Sequence, residues 1–281
     1  MRVEDLLVYG KKYCHSDISK ILLGDLLNLN PLELLIHLDE EVSEEKALIY
    51  KEEVKAIKEN KPLQYVLGYT NFYGNKFIVN EKVLIPRFET EELVENTINY
   101  IKEYFNIPVN IIDLGCGSGV IGLTLKQKIK DSDVTLLDIS EDALKVAQEN
   151  SKQLNLPVKF IKNNMLENLN EKYDVIISNP PYIKTNEEIE EIVKNNEPHL
   201  ALYAGEDGLD YYRSIINNIQ NNLKEKYLIA FEIGYEQKDP IVKLLNEKLN
   251  DITIITKKDM QDRNRMIFVL SNSLIKSKKD S

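Results

Sequence analysis

Cysteine is nearly absent from this 281-residue chain: only Cys14 and Cys116 occur, far apart, with no second Cys or His at ligand spacing. Neither a disulfide framework nor a zinc site is expected, and a reducing cytoplasm is the default compartment. His15, His37 and His199 lie in unrelated segments, so each reads as structural or surface, and no metal is expected. No apolar run approaches the roughly 18 residues needed to span a bilayer. The start, Met-Arg-Val-Glu-Asp, lacks the basic-then-apolar order of a signal peptide. An excess of positive charge is missing too. With 36 Lys and Arg against 46 Asp and Glu, the net charge of -10 opposes tight, sequence-independent binding to nucleic acid, which needs a basic face. A local basic patch stays open. There is no internal repeat and no low-complexity linker.

What is present is an ordinary soluble composition, 43% hydrophobic and 29% charged, long enough for one medium and one small domain. From residue 1 to 68 apolar residues recur at helical spacing: Val3, Leu6, Leu7; Ile18, Ile21, Leu22, Leu26; Leu34, Leu35, Leu38; Leu48, Val54, Ile57. This predicts a small helical domain, with Ser16 and Ser43 as N-caps and Asn30-Pro31 as a break. Residues 69–90 turn to aromatic and β-branched residues around Gly74, with Val83, Leu84 and Ile85 at the end, which predicts a β-hairpin linker. An amphipathic helix carrying Leu93, Val94, Ile98 and Ile101 follows.

From Val109 on, strands near 109–113, 133–138, 157–161, 173–178, 226–232, 252–256 and 266–270 alternate with helices near 119–129, 141–154, 187–195, 208–223 and 236–248. Alternation of this kind predicts an α/β, doubly wound, mostly parallel seven-stranded sheet over residues 91–272, with ligands at the carboxyl ends of the strands. Residues 273–281, ending in a charged stretch, are expected to be a solvated, disordered tail. The acidic run Glu187–Glu191 reads as a solvated helix face, though its place allows a role in receiving a positively charged protein.

The first strand of the sheet runs into Asp113-Leu-Gly-Cys-Gly-Ser-Gly119 and then directly into a helix pattern. Gly115, Gly117 and Gly119 let the backbone turn sharply and approach a ligand closely. Nicotinamide, flavin and S-adenosylmethionine sites all use such a turn. The spacing Gly-x-Gly-x-Gly, and Asp113 placed to reach an ammonium group, favour S-adenosylmethionine. Asp138, ending the second strand, is placed to accept hydrogen bonds from ribose hydroxyls; the alternative is a helix cap, for which Ser140 is the better candidate. After the third strand, Asn163, Asn164 and Met165 stand where an adenine would lie, or form a polar turn with one apolar anchor.

Asn179-Pro-Pro-Tyr182 directly follows the apolar run 173–178. A side-chain amide, two prolines without N–H groups and an aromatic ring make a rigid, acceptor-rich pocket floor suited to a planar NH2 group. Adenine and glutamine fit that description equally.

In order, Asp-x-Gly-x-Gly-x-Gly, strand-end Asp and Asn-Pro-Pro-Tyr resemble the class I S-adenosylmethionine-dependent methyltransferases acting on exocyclic or amide nitrogens. Within that class, Gly68–Val79 and Val83-Leu-Ile-Pro-Arg-Phe-Glu-Thr-Glu91, with Glu197-Pro198 and Glu232-Ile-Gly-Tyr235, resemble the peptide chain release factor glutamine methyltransferases. That family usually has Pro where Phe88 stands and often an acidic residue at Asn164.

The resemblance implies methylation of the glutamine of a Gly-Gly-Gln tripeptide in release factors by a cytoplasmic monomer, with the helical domain gripping the factor. It implies S-adenosylmethionine bound by Asp113, Gly115, Cys116, Gly117, Ser118, Gly119, Asp138, Asn164, Met165 and Asn179. Asn179, Pro180 and Tyr182 would be catalytic, and Asn179, Pro180, Pro181, Tyr182, Arg87, Glu89 and Glu197 would meet the substrate. The Asn179 side-chain oxygen and the Pro180 carbonyl would accept from the target NH2. The rival expectation is an adenine-N6 or guanine-N2 methyltransferase acting on DNA or RNA, which would want a basic face and a base-flipping module.

Overall fold

The computed structural model describes residues 1–106 and 108–279, in two compact units: Met1–Thr70 with Glu190–Asn196, and Asn71–Ile189 with the chain from Glu197 on. The first unit is helical, as its periodicity predicts: α1 (Val3–Gly10), α2 (Ser16–Leu27), α3 (Pro31–Ile36), α4 (Glu44–Lys58) and α5 (Leu63–Leu67). Leu6, Leu22, Leu23, Leu34, Tyr50 and Val54 form its centre, each fully buried. The Tyr50 hydroxyl pairs with Ser19 Oγ at 2.7 Å, so this core holds a polar pair without leaving either hydroxyl unsatisfied.

Ser43 caps α4 as expected, accepting from Lys46 N. At α2 the expectation needs correcting. His15 has the extended backbone of an N-cap and its Nδ1 accepts from Asp17 N, which puts Ser16 one residue inside the helix. Asn30 accepts from the Leu32 and Glu33 amides while Glu33 reaches back to Asn30 N, so the Asn-Pro break also starts α3, with Pro31 at its first position.

The hairpin β1 (Tyr69–Phe72) and β2 (Asn75–Ile78), whose first two residues close the first unit and whose remainder belongs to the second, turns at Tyr73 and Gly74, both with positive φ, the two-residue turn that suits twisted strands. It is more than a linker, since Phe72 and Phe77 meet edge to face inside the core of the second unit. The run Val83–Ile85 makes no strand. Pro86 has no N–H to give a ladder, and Glu197 takes the Ile85 amide instead.

Then come α6 (Phe88–Tyr104), β3 (Val109–Leu114), α7 (Val120–Lys128), β4 (Ser132–Asp138), α8 (Glu141–Leu154), β5 (Lys159–Lys162), β6 (Tyr173–Ser178), α9 (Glu191–Asn196, in the first unit), α10 (Asp210–Asn218), β7 (Leu223–Glu232), α11 (Lys238–Lys248), β8 (Ile252–Lys258), β9 (Asn264–Ser271) and α12 (Asn272–Lys279). Most of the acidic run precedes α9, so Glu187–Glu190 are not helical.

The seven-stranded sheet has the order β5-β4-β3-β6-β7-β9-β8, parallel except for β9. Alternate residues serve opposite faces. Ile111, Leu136 and Val175 enter one core with α6 and α7, while Ile112, Leu137 and Ile176 enter the other with Tyr212 of α10 and Leu245 of α11. The strand order reverses between β3 and β6, where ligands of such sheets bind.

The expected disordered tail is instead helical through Lys279, because Leu274 is an apolar anchor in the core and Ser273 Oγ donates to Glu225 O. The last two residues lie outside the described ones. No helix among the described residues is long and apolar enough to cross a membrane.

Candidate active site

Strands β3, β4, β6 and β7 end on the same side of the sheet, and each delivers one part of the site. After β3, the amides of Gly115 and Cys116 both reach the Leu137 carbonyl, and Gly119 N closes a turn onto Cys116 O. Gly115, Gly117 and Gly119 all have positive φ. A Cβ built on Gly117 meets nothing within 4 Å, so this bend borders open space that a ligand can fill. Cys116 and Ser118 point into the protein and are buried; burial pushes the Cys116 thiol well above its usual value, so it stays protonated.

Asp138 ends β4 with one carboxylate oxygen on Gly117 N at 2.9 Å and the other on Ser140 N at 2.8 Å. Ser140 Oγ accepts from Ala143 N, so Ser140 caps α8 and leaves Asp138 to link the glycine loop to the cleft. Burial pushes Asp138 up, against the hydrogen bonds from Ser140 and Gly117 that hold it down. Asp113 is fully buried. One of its oxygens accepts from Gly122 N at 3.0 Å and the other has no partner among the described residues; desolvation pushes it up to about 7.

A cleft runs along these strand ends, lined by Gly115, Gly117, Asp138, Asn163, Asn164, Met165, Asn179 and Pro181, which brings together eight positions singled out from sequence. Met165 takes a left-handed conformation that lays its methyl 3.6 Å from the Cβ position of Gly115. Asn163 holds the bend by donating to the Met165 and Glu167 carbonyls. Asn164 Nδ2 donates to Glu167 Oε1, so a carboxylate lies beside this position although the residue itself is an amide.

Further walls were not anticipated: Lys82, Val83 and Leu84 from the linker, Ile139, Leu200 and Tyr211. Only the apolar Val83-Leu-Ile85 run signals any of them.

At the end of β6, Ser178 Oγ donates to Leu114 O and ties the start of the Asn-Pro-Pro-Tyr turn to β3. Pro180 is buried and Tyr182 is half-buried, its hydroxyl pushed up to about 12 by burial with Glu232 and Glu89 adding to the push. The Tyr182 carbonyl accepts from Gln237 Nε2 at 2.9 Å. Asn179 Nδ2 donates to Thr90 Oγ1 at 3.1 Å, and Thr90 Oγ1 donates to Glu232 Oε2 at 2.7 Å.

Arg87 and Glu197, expected to meet the substrate, meet each other. Arg87 Nη2 lies 2.6 Å from Glu197 Oε1, Nη1 donates to Ile85 O, and Ile85 N donates to Glu197 Oε2. With its side chain only 2% exposed and both oxygens engaged, Glu197 clamps the linker that walls the cleft and has no face left for a substrate. Glu89 is half-buried in the first turn of α6. Phe88 is the first residue of α6 and 63% exposed, a position where proline is also tolerated, so its departure from the family pattern costs the fold little.

The implied donor, S-adenosylmethionine, fits these residues. The open Gly117 bend and the strand-end Asp138, both lining the cleft, match a backbone cradle and a ribose, while Asp113 lies buried behind the glycine loop and does not line the cleft.

A family model described as the methyltransferase small domain matches residues 91–202, and one described as the PrmC N-terminal domain matches residues 16–68. The chain is 36% identical over 279 residues to a release factor glutamine methyltransferase of Bacillus cereus, covering 95% of this chain and 99% of that protein. It is 40% identical over 269 residues to the release factor glutamine methyltransferase of Streptococcus pneumoniae, covering 95% and 94%. A solved methyltransferase structure from Pyrococcus furiosus matches with a TM-score of 0.52 at 15% identity, over 78% of this chain and 96% of that one, which speaks for the fold. Identity of this extent along nearly the whole of both curated relatives leaves one conclusion: the chain belongs to the release factor glutamine methyltransferase family.

Proposed function

We propose that this protein methylates the side-chain amide nitrogen of a glutamine in peptide chain release factors, the glutamine of a Gly-Gly-Gln tripeptide, with S-adenosylmethionine as donor. The observation that carries the reading is that Asn179 and Pro181 of the Asn-Pro-Pro-Tyr turn line the same cleft as Asp138 and the glycine loop. S-adenosylmethionine supplies an electrophilic methyl group on a sulfonium sulfur. Asp138 accepts from the ribose hydroxyls with the lone pairs its two backbone partners leave free, and Asp113 supplies negative charge for the ammonium end. Met165, Ile139 and Leu200, which line the cleft, would flank an adenine.

An amide nitrogen is a poor nucleophile because its lone pair is delocalised into the carbonyl. Asn179 Oδ1 and the Pro180 carbonyl accept from its two hydrogens, which would orient the nitrogen toward the methyl group and stabilise the positive charge it gains as the new C–N bond forms and the S–CH3 bond breaks, its electron pair staying on sulfur to leave S-adenosylhomocysteine. Orientation of this kind contributes up to roughly 7 to 11 kcal/mol in favourable cases. Tyr182 packs over the planar amide. Once methylated, the nitrogen releases a proton to water, so no general base is required.

The test offers labelled S-adenosylmethionine with purified release factor or with nucleic acid. Label should enter the factor, and Asn179→Ala should lower kcat by about 100-fold or more, the usual scale for losing a preorganised polar group. Label in nucleic acid alone would refute the reading, and unchanged labelling by Asn179→Ala would refute the mechanism. The net charge of -10 favours the protein substrate.

A further inference from the structure

The geometry points to Thr90 and Glu232 as positioning residues that set which end of the Asn179 side-chain amide faces the target glutamine. This inference rests on the proposed role of Asn179. An asparagine amide has an accepting and a donating end, nearly equal in shape, and only the accepting end can hold a target NH2. Left alone, the amide would turn either way.

The surrounding groups remove that freedom. Thr90 Oγ1 has a single hydrogen, which it spends on the Glu232 carboxylate at 2.7 Å; its lone pairs are then available, and Asn179 Nδ2 donates to them at 3.1 Å. The Asn179 amide also helps hold the Glu232 carboxyl down, against the burial that raises it. With the NH2 end turned back to Thr90 Oγ1, Oδ1 is the end left for the cleft that Asn179 lines.

Both partners are built for this purpose. Thr90 is 3% exposed and Glu232 1%, so water does not compete for either. The backbone around them is tied as well, because the Tyr212 hydroxyl donates to the Glu232 carbonyl at 2.6 Å.

The relay works only while Glu232 is ionised. A protonated Glu232 must itself donate, and the nearest acceptors are Thr90 Oγ1 and, after a flip, Asn179 Oδ1. The flip would turn two donors toward the incoming NH2. The groups facing this carboxylate are Thr90 and Glu89 from α6, Asn179 and Tyr182 from the turn, Tyr212 from α10 and Arg265 from β9. Arg265 holds Glu232 down while Glu89 pushes it up, and burial dominates both, leaving it at about 7. Arg265 is itself held by Asp259 and the Ile233 carbonyl, which fixes its distance from Glu232.

The test measures kcat and KM on a release factor from pH 6 to 9, together with binding of S-adenosylmethionine, for wild type, Thr90→Val, Thr90→Ser, Glu232→Gln and Asn179→Ala. Wild-type kcat should fall tenfold per pH unit below about 7. Thr90→Val, equal in shape but unable to relay, should lose at least tenfold in kcat with donor affinity within about twofold of wild type, and Thr90→Ser should restore it. Glu232→Gln should be slower at pH 8 and should lack the acidic limb.

A Thr90→Val enzyme as fast as wild type, or a Glu232→Gln enzyme with the limb intact, overturns the inference while Asn179→Ala remains impaired. If Asn179→Ala is itself unimpaired, the underlying reading of the turn fails, and the two failures are told apart.

Discussion

Replacing Asp113 by asparagine should make the protein more stable in alkali and worse at holding its donor. Asp113 is fully buried, with one oxygen on Gly122 N and the other unpartnered, and burial pushes it from 3.8 to about 7. A carboxyl raised in this way binds more protons folded than unfolded between those two values. Its contribution to stability is therefore fully present below the unfolded value and is lost as pH rises through the folded one. The interval from 3.8 to about 7 corresponds to about 4 kcal/mol.

Asparagine does not ionise. At pH 5 the Asp113→Asn protein should be no better than wild type, because its new NH2 lacks an acceptor, at a cost of about 1 to 3 kcal/mol. Between pH 5 and pH 8 the difference between the two proteins should shift by about 2 to 3 kcal/mol in favour of the variant. Urea unfolding of the ligand-free proteins at both pH values measures this, and a midpoint difference that stays constant across that range would refute the assignment of a buried, weakly acidic carboxyl. Titration with S-adenosylmethionine at pH 8 should in parallel show weaker binding by the variant if Asp113 supplies the charge proposed for the ammonium end.

Gly117→Ala should fold with a cost of about 1 to 2 kcal/mol for holding a left-handed backbone, because its Cβ meets no protein atom within 4 Å. Its donor affinity should nonetheless fall tenfold or more, read by calorimetry, since that space is the cradle. Asn150→Ala removes a buried amide that accepts from Ile78 N and donates to the Ile78 and Ser118 carbonyls. Thermal unfolding should show a loss of about 2 to 4 kcal/mol. Arg87→Ala leaves the buried Glu197 carboxylate without its cation. A loss of about 2 to 4 kcal/mol is expected, together with weaker donor binding as the Val83–Leu84 wall loosens, whereas Arg87→Lys should recover part of both.

The parts of this site that were legible in the sequence are those written in consecutive residues. A strand that must stop, a glycine bend and a strand-end carboxylate each declare themselves within a few positions, because local backbone sterics and side-chain reach decide them. The alternating apolar runs likewise foretell both the sheet and the sides on which helices cover it. The misplaced features failed for local reasons as well. His15 competed with Ser16 as a cap of similar reach, and two apolar residues, Leu274 and Ile275, hold a lysine-rich segment against the core.

What the pattern could not disclose is which side chain finishes the hydrogen bonds of another. Arg87 and Glu197 stand 110 residues apart, and read singly each looks like a charge awaiting a substrate, yet folding spends them on one another. Thr90 is 89 residues from Asn179 and 142 from Glu232, and no periodicity relates the three. The same turn of four residues can present an acceptor or a donor to its guest. That choice is made by a threonine at the start of one helix and a glutamate at the end of one strand, so the chemistry of the turn is set by the topology that brings those two ends together.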